Sequence, residues 1–284
     1  MTRAPAGRIL ITGGNGLLAE AAARLWSEHA DIVSIPRADL DVTDADAMRR
    51  AFDEHEPEIW FQGAAYTAVD RAETEREQAE AVNHGSIAVL ASECATRGVL
   101  LVTASTDYVF DGESTRPYTE DDETAPLGHY AQTKLRGEAA AAACEHLIVR
   151  VQALYGTGRA TLVDRLLDPS AALTIVNDRI SQPSFADDVA TAISNLIEAG
   201  ARGIFHVANQ GSISWYEFAL LTRKAAGLPA TNLTPAAAPA RPEPARRPRF
   251  SALSSAKYEA ATQHSMRSVH DALQDFLGRR GTVQ

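Results

Sequence analysis

A chain of 284 residues, 45% hydrophobic and 23% charged, has the composition of an ordinary globular protein with ample core. Its net charge of -10 argues against nucleic acid as a partner, and no apolar run approaches the roughly 20 residues of a bilayer span. Two cysteines without metal or redox spacing, scattered histidines and a start lacking the apolar core of a signal peptide lead us to expect a soluble, cytoplasmic protein with no metal.

The first half alternates short apolar runs with helix-forming stretches. Strands are expected at Arg8–Thr12, Asp31–Ile35, Ile59–Ala65, Val99–Ser105 and Leu147–Val151. Between them, helical spacing runs over Leu17–His29, Asp44–His55 (with Asp44 as cap), Ala79–Arg97 and Leu127–Cys144. Apolar strands separated by helices predict an α/β fold, a doubly wound parallel sheet covered on both faces. After Tyr155 the order loosens, with strands expected at Ala172–Val176 and Gly203–Ala208 and helices at Ala186–Glu198, Trp215–Ala226 and Ser268–Leu277. Pro229–Pro248, rich in Pro and Ala, reads as an extended segment. Residues 1–155 are therefore expected to form a Rossmann-like nucleotide-binding domain, rejoined by parts of 172–210, and 156–284 mainly a smaller substrate-binding portion. Trp215 reads as core.

Between the first strand and first helix lies Gly13-Gly14-Asn15-Gly16-Leu17-Leu18-Ala19. Gly13 permits a tight turn, Gly16 lets the backbone approach a pyrophosphate, and Ala19 takes the close-packing position. The helix start at Leu17 and Leu18 offers free N–H groups to phosphate. The second strand is followed by Arg37, Asp41 and Val42. A carboxylate at that strand's tip would select NAD, whereas Arg37 can pair with the 2′-phosphate of NADP. Two readings stand for it, phosphate partner and surface arginine. Asp41 is a candidate for the adenine amino group. NADP(H) is the cofactor expected by preference, with NAD(H) as the alternative.

Ser105-Thr106-Asp107-Tyr108-Val109-Phe110 ends the fourth strand, where doubly wound sheets place ligands. Tyr130 and Lys134 are four residues apart on the next helix, hence on one face. Reducing a ketone by hydride needs a proton donor at the carbonyl oxygen, and a phenol beside an ammonium suits that task. Lys134 can also hold the cofactor ribose, and Thr106 can align the substrate oxygen. With 7 Tyr and lysines only at 134, 224 and 257, chance gives roughly 0.07 such pairs, so the match carries weight.

These runs, with Ala64-Ala65-Tyr66-Thr67-Ala68-Val69-Asp70-Arg71-Ala72-Glu73, Asn83, Gly137-Glu138, Pro183-Ser184 and Arg247-Pro248, resemble the extended short-chain dehydrogenases that reduce nucleotide-linked 4-keto-6-deoxysugars, the dTDP-4-dehydrorhamnose reductase family. The resemblance implies Thr106, Tyr130 and Lys134 as a catalytic trio, with Asp107 counted beside them at the substrate. It implies Ala64, Ala65, Tyr66, Asn83 and Ser105 at the cofactor, and Arg247 or Arg249 on the substrate diphosphate. Three departures fall in the substrate half. The family's Arg-Thr-Ser-Trp-Val-Tyr run is Arg150-Val151-Gln152-Ala153-Leu154-Tyr155 here, so Ala153 replaces an aromatic wall; Ala160-Thr161-Leu162 replaces Asn-Asn-Phe; and Gln182 replaces the Gly before Pro183. The partners implied are a nucleotide-diphosphate sugar and a second copy of the chain in a homodimer. Reduction of another ketone or imine, and a non-catalytic nucleotide-binding regulatory subunit, are the competing readings.

Overall fold

The computed structural model describes residues 7–238 and 244–281. The first half runs β1 (Arg8–Thr12), α1 (Leu17–Trp26), β2 (Asp31–Ile35), α2 (Ala45–His55), β3 (Ile59–Gln62), α3 (Arg76–Glu80), α4 (Ser86–Arg97), β4 (Leu100–Thr106), α5 (His129–Ala141) and β5 (His146–Val151). There follow β6 (Leu154–Tyr155), α6 (Leu162–Leu166), β7 (Leu173–Val176), β8 (Ile180–Ser181), β9 (Ser184–Phe185), α7 (Ala186–Glu198), β10 (Gly203–His206), β11 (Ile213–Ser214), α8 (Trp215–Ala225), β12 (Leu233–Ala236), α9 (Ala256–Thr262) and α10 (Val269–Gly281).

Six strands form one parallel sheet in the order β10-β5-β4-β3-β1-β2. Strand periodicity sends alternate side chains to opposite faces. Ile9 and Ile11 of β1 join α1 and α7 in one core layer, and Leu10 joins α2 and α4 in the other. This is the α/β arrangement expected, with β10 lying beside β5. Asp44 caps α2 as foreseen, its Oδ1 accepting from the Asp46 and Ala47 N–H groups at 2.9 and 3.0 Å.

Boundaries differ where tertiary contact overrides propensity. The long helix starts at Arg76 and contains a π turn over Ala81–Gly85. β3 stops at Gln62 because Gly63 presses on β1: a Cβ there would lie 2.6 Å from the Thr12 carbonyl oxygen and 2.9 Å from the Ala19 Cβ. The Ala172–Val176 run forms β7, which pairs not with the main sheet but in parallel with β12 from the Pro-rich segment. Residues 239–243 of that segment lie outside the described residues. Among the described residues no helix is long and apolar enough to cross a membrane.

Candidate active site

The strand order reverses at β1, which has β2 on one side and β3 on the other, and the crevice of such a sheet opens there at the carboxyl ends of the strands. Gly13 turns the chain out of β1 with φ of +68°, and a Cβ on it would lie 2.6 Å from the Ala64 nitrogen. A cavity of about 710 Å³ extends from this point. Asn15, Gly16, Leu17 and Leu18 line its floor at the α1 N-terminus, where Gly16 precedes the helix without a side-chain cap. The first-turn N–H groups are therefore free for an anion. Arg37, Asp41 and Val42 line the end beyond β2, and Ala64, Ala65 and Tyr66 the wall beyond β3. Arg37 is exposed, and the Asp41 Oδ1 accepts from the Thr43 N–H and hydroxyl, which hold its carboxyl below the usual range.

At the opposite end Ser105, Thr106 and Asp107 face Tyr130 and Lys134 of α5 across the same cavity. Thr106 accepts the Tyr108 N–H at 3.2 Å and donates to the Asp107 Oδ1 at 3.1 Å. Lys134 Nζ donates to the Ala104 carbonyl at 2.7 Å. The Tyr108 ring stands edge-on to Tyr130, centroids 6.4 Å apart. Burial pushes the Tyr130 phenol well above its ordinary range, the Asp107 charge adds to this, and the Thr106 hydroxyl opposes it. The proton is thus held on Tyr130, as a proton donor requires. Burial draws Lys134 down to about 8, with Glu138 opposing. Glu138 is itself paired with the buried Arg150 at 2.7 Å.

Ala153 lines this cavity with a left-handed φ of 47°, a conformation that favours glycine. Ser105 Oγ is buried without a hydrogen-bond partner among the described residues. Together with the crowded turn at Gly13 and the open start of α1, that orphan hydroxyl fits a nicotinamide dinucleotide spanning the cavity.

Three expected site residues are not brought to the cavity wall. Asn83 is 1% exposed and ties two elements together: its Oδ1 accepts the Tyr66 N–H at 2.9 Å, and its Nδ2 donates to the Tyr66 carbonyl and Thr133 hydroxyl, both at 3.0 Å. Thr133 in turn donates to the Tyr130 carbonyl at 2.7 Å, so Asn83 sets the start of α5. Arg247 forks onto Asp70 through two bonds of 2.9 Å. Arg249 is exposed, its carbonyl accepting the Ile180 N–H at 2.8 Å. Trp215, expected in the core, does pack half-buried on two core clusters, and it also lines the cavity with Arg159, Ser181 and Gln152. Each of the four arrives from a separate segment of the chain, Ser181 from β8 and Trp215 from the start of α8.

A parallel sheet with a glycine turn at its switch point and a Tyr–Lys pair facing that turn across one cavity is the arrangement of the extended short-chain dehydrogenases. Residues 7–281 match the RmlD substrate binding domain, and the chain belongs to that family. It is 34% identical to a Streptomyces griseus dTDP-4-dehydrorhamnose reductase over 99% of this chain and 98% of that one. It is 37% identical to a Streptomyces niveus dTDP-4-keto-6-deoxy-D-glucose reductase over 78% of this chain and 79% of that one. The crystal structure of Bacillus anthracis dTDP-4-dehydrorhamnose reductase in complex with NADP superposes with a TM-score of 0.92 at 31% identity, covering 97% of this chain and 100% of that one.

Proposed function

We propose that the protein is an NADP(H)-dependent reductase of a nucleotide-linked 4-keto-6-deoxysugar. The observation that carries this reading is the placement of Thr106, Tyr130 and Lys134 on the same cavity as the glycine turn, in a chain 34% identical over nearly its full length to a dTDP-4-dehydrorhamnose reductase. Residues 1–155 then serve mainly the cofactor and 156–284 mainly the sugar nucleotide, and the protein works in the cytoplasm as a homodimer.

The α1 N-terminus would hold the cofactor pyrophosphate and Arg37 its 2′-phosphate, with NAD(H) the weaker alternative. When bound, the cofactor supplies a hydride for the carbonyl carbon of the sugar. Tyr130 passes its phenolic proton to the carbonyl oxygen, so ketone becomes alcohol with charge balanced. Thr106 would turn its one hydroxyl hydrogen from the Asp107 Oδ1 to that oxygen and so fix its direction. Lys134, positively charged below about 8, stabilises the phenolate left on Tyr130.

A different deoxysugar from the rhamnose precursor is favoured by one observation, the small Ala153 on the wall where the resembling enzymes carry Trp. Retention of all three catalytic residues speaks against a purely regulatory subunit. The test is NADPH oxidation with a panel of dTDP- and UDP-linked ketosugars. Turnover with at least one dTDP-4-keto-6-deoxysugar is expected, and oxidation with none of them overturns the reading.

A further inference from the structure

Gln152 follows β5 directly and is 1% exposed, yet it makes more polar contacts than any packing role needs. Its Oε1 accepts the Gln182 N–H at 2.7 Å. Its Nε2 donates to the Asp107 Oδ2 at 2.6 Å and the Ser251 carbonyl at 2.8 Å, with the Ser251 hydroxyl also in reach. The partners decide which way the amide points, because a backbone N–H can only donate and a carboxylate and carbonyl can only accept. Two hydrogens on Nε2 are thus spent on two acceptors, leaving the Ser251 hydroxyl to donate to Asp107. Gln182 extends the set, its Oε1 accepting the Leu253 N–H at 2.6 Å. Both glutamines stand where the chain departs from the reductases it resembles, and they touch each other.

We propose that Gln152 is a positioning residue for the reduction: its amide fixes the Asp107 carboxylate, and through it the Thr106 hydroxyl, at the reacting end of the cavity. The proposal rests on the reductase reading of the site. Asp107 is 3% exposed and bonds Thr106 through one oxygen and Gln152 through the other, with the Ser251 hydroxyl as a third donor, so its carboxylate plane is set by these three partners. Burial pushes its carboxyl up to about 6, while the Ser251, Gln152 and Thr106 donors pull it back. Loss of the Gln152 donor therefore lets burial win, and Asp107 carries a proton nearer neutral pH.

The groups facing this carboxylate leave it alone in that titration. Tyr130 of α5 and Tyr108 of its own turn are raised, Tyr108 to about 12, and the Arg179 and Arg247 charges that act on Tyr108 are permanent. Lys134 titrates near 8 and affects every variant alike.

Two substitutions separate positioning from packing. Gln152→Leu removes the amide and its donors. Gln152→Glu keeps an acceptor for the Gln182 N–H but sets a carboxyl against Asp107. Rates with NADPH and the best ketosugar are measured from pH 5 to 9, with melting and NADPH binding as controls. In Gln152→Leu we expect turnover to fall about 10–100-fold, the loss of one bond to a charged group, KM for NADPH to hold, and the acid limb to move up. In Gln152→Glu the pair works while it shares one proton, so activity survives at low pH and falls as pH rises. The same fractional loss at every pH, or no loss, in folded and NADPH-competent Gln152→Glu overturns the proposal. Wild-type protein inactive on every ketosugar sinks the reductase reading instead. In that event the Asp107 titration, followed by carboxyl NMR, must still move up in Gln152→Leu for the contact to matter.

Discussion

Arg247 and Asp70 face each other across 177 residues of chain, joined by two hydrogen bonds of 2.9 Å from the guanidinium to the two carboxylate oxygens. The pair ties the segment before Pro248 to the loop after β3, and it holds the Asp70 carboxyl below its usual range. With side-chain exposures of 18% and 46%, solvent screens it, and a double-mutant cycle on Arg247→Ala and Asp70→Asn should give a coupling of about 1 kcal/mol at most. Arg247→Ala should also raise KM for the sugar nucleotide only as far as Asp70→Asn does. A much larger effect from the arginine alone would restore it as a direct substrate clamp.

Tyr130→Phe keeps the ring that packs against Tyr108 and removes the O–H. Turnover should drop about 10²–10⁴-fold, the usual contribution of a positioned acid, while NADPH affinity measured by fluorescence stays unchanged. Lys134→Ala should lose both. A Tyr130→Phe variant with near-normal turnover would remove that residue from the proton-donor role.

The pH dependence follows from two buried groups. Asp107, up at about 6, is expected to set the acid limb of kcat/KM, and Lys134, down at about 8, the alkaline limb. Stability carries a sign that activity does not. Because the folded pKa of Asp107 lies above the ordinary carboxylate value, the folded state binds that proton more tightly, and its contribution to stability grows as pH falls from about 6 to about 4. The full effect is on the order of 3 kcal/mol. Denaturant unfolding of wild type and Asp107→Asn across that window should show the stability difference drifting in favour of wild type as the medium is acidified. A difference independent of pH would show that Asp107 does not titrate there.

Arg37 stands exposed at the tip of β2 on the cavity wall. Its contact with a 2′-phosphate is therefore screened, and a moderate preference for NADPH over NADH is expected, weakening with salt. Comparing kcat/KM for the two cofactors in wild type and Arg37→Ala checks this; equal ratios in both proteins would count against any role for Arg37 in selection.

Ala153 leaves the sugar end without the large flat surface of a Trp, which buries about 150–250 Å². dTDP-4-dehydrorhamnose, if turned over, is expected not to be the best substrate in a panel that includes bulkier or branched ketosugars. Ala153→Trp should narrow the panel, and NADPH affinity measured beside it shows whether the new ring enters the sugar side or the cofactor side of the cavity. Should the rhamnose precursor prove best with kcat/KM of about 10⁴ M⁻¹s⁻¹ or more, the missing Trp is inconsequential.

Short-range features were legible in the amino-acid sequence. The alternation of strands and helices, the Asp44 cap, the turn at Gly13 and the four-residue step from Tyr130 to Lys134 each depend on backbone periodicity or on neighbours within one turn. The β5 strand and the α7 helix lie within a residue of where apolar spacing puts them, because a buried parallel sheet needs unbroken apolar runs.

What tertiary structure alone decided are the contacts between residues far apart in the chain. The sequence does not reveal that the Asn83 amide bonds Tyr66 and Thr133, 17 and 50 positions away. Trp215 packs on the core as its type suggests, but nothing in its own helix reveals that α8 also begins at the cavity rim. Gln152 carried no signal beyond its departure from a family pattern, since its partners at 107, 182 and 251 meet only when four segments converge. A polar side chain forced into a dry interior must find partners wherever the fold supplies them, and only the folded chain says where that is.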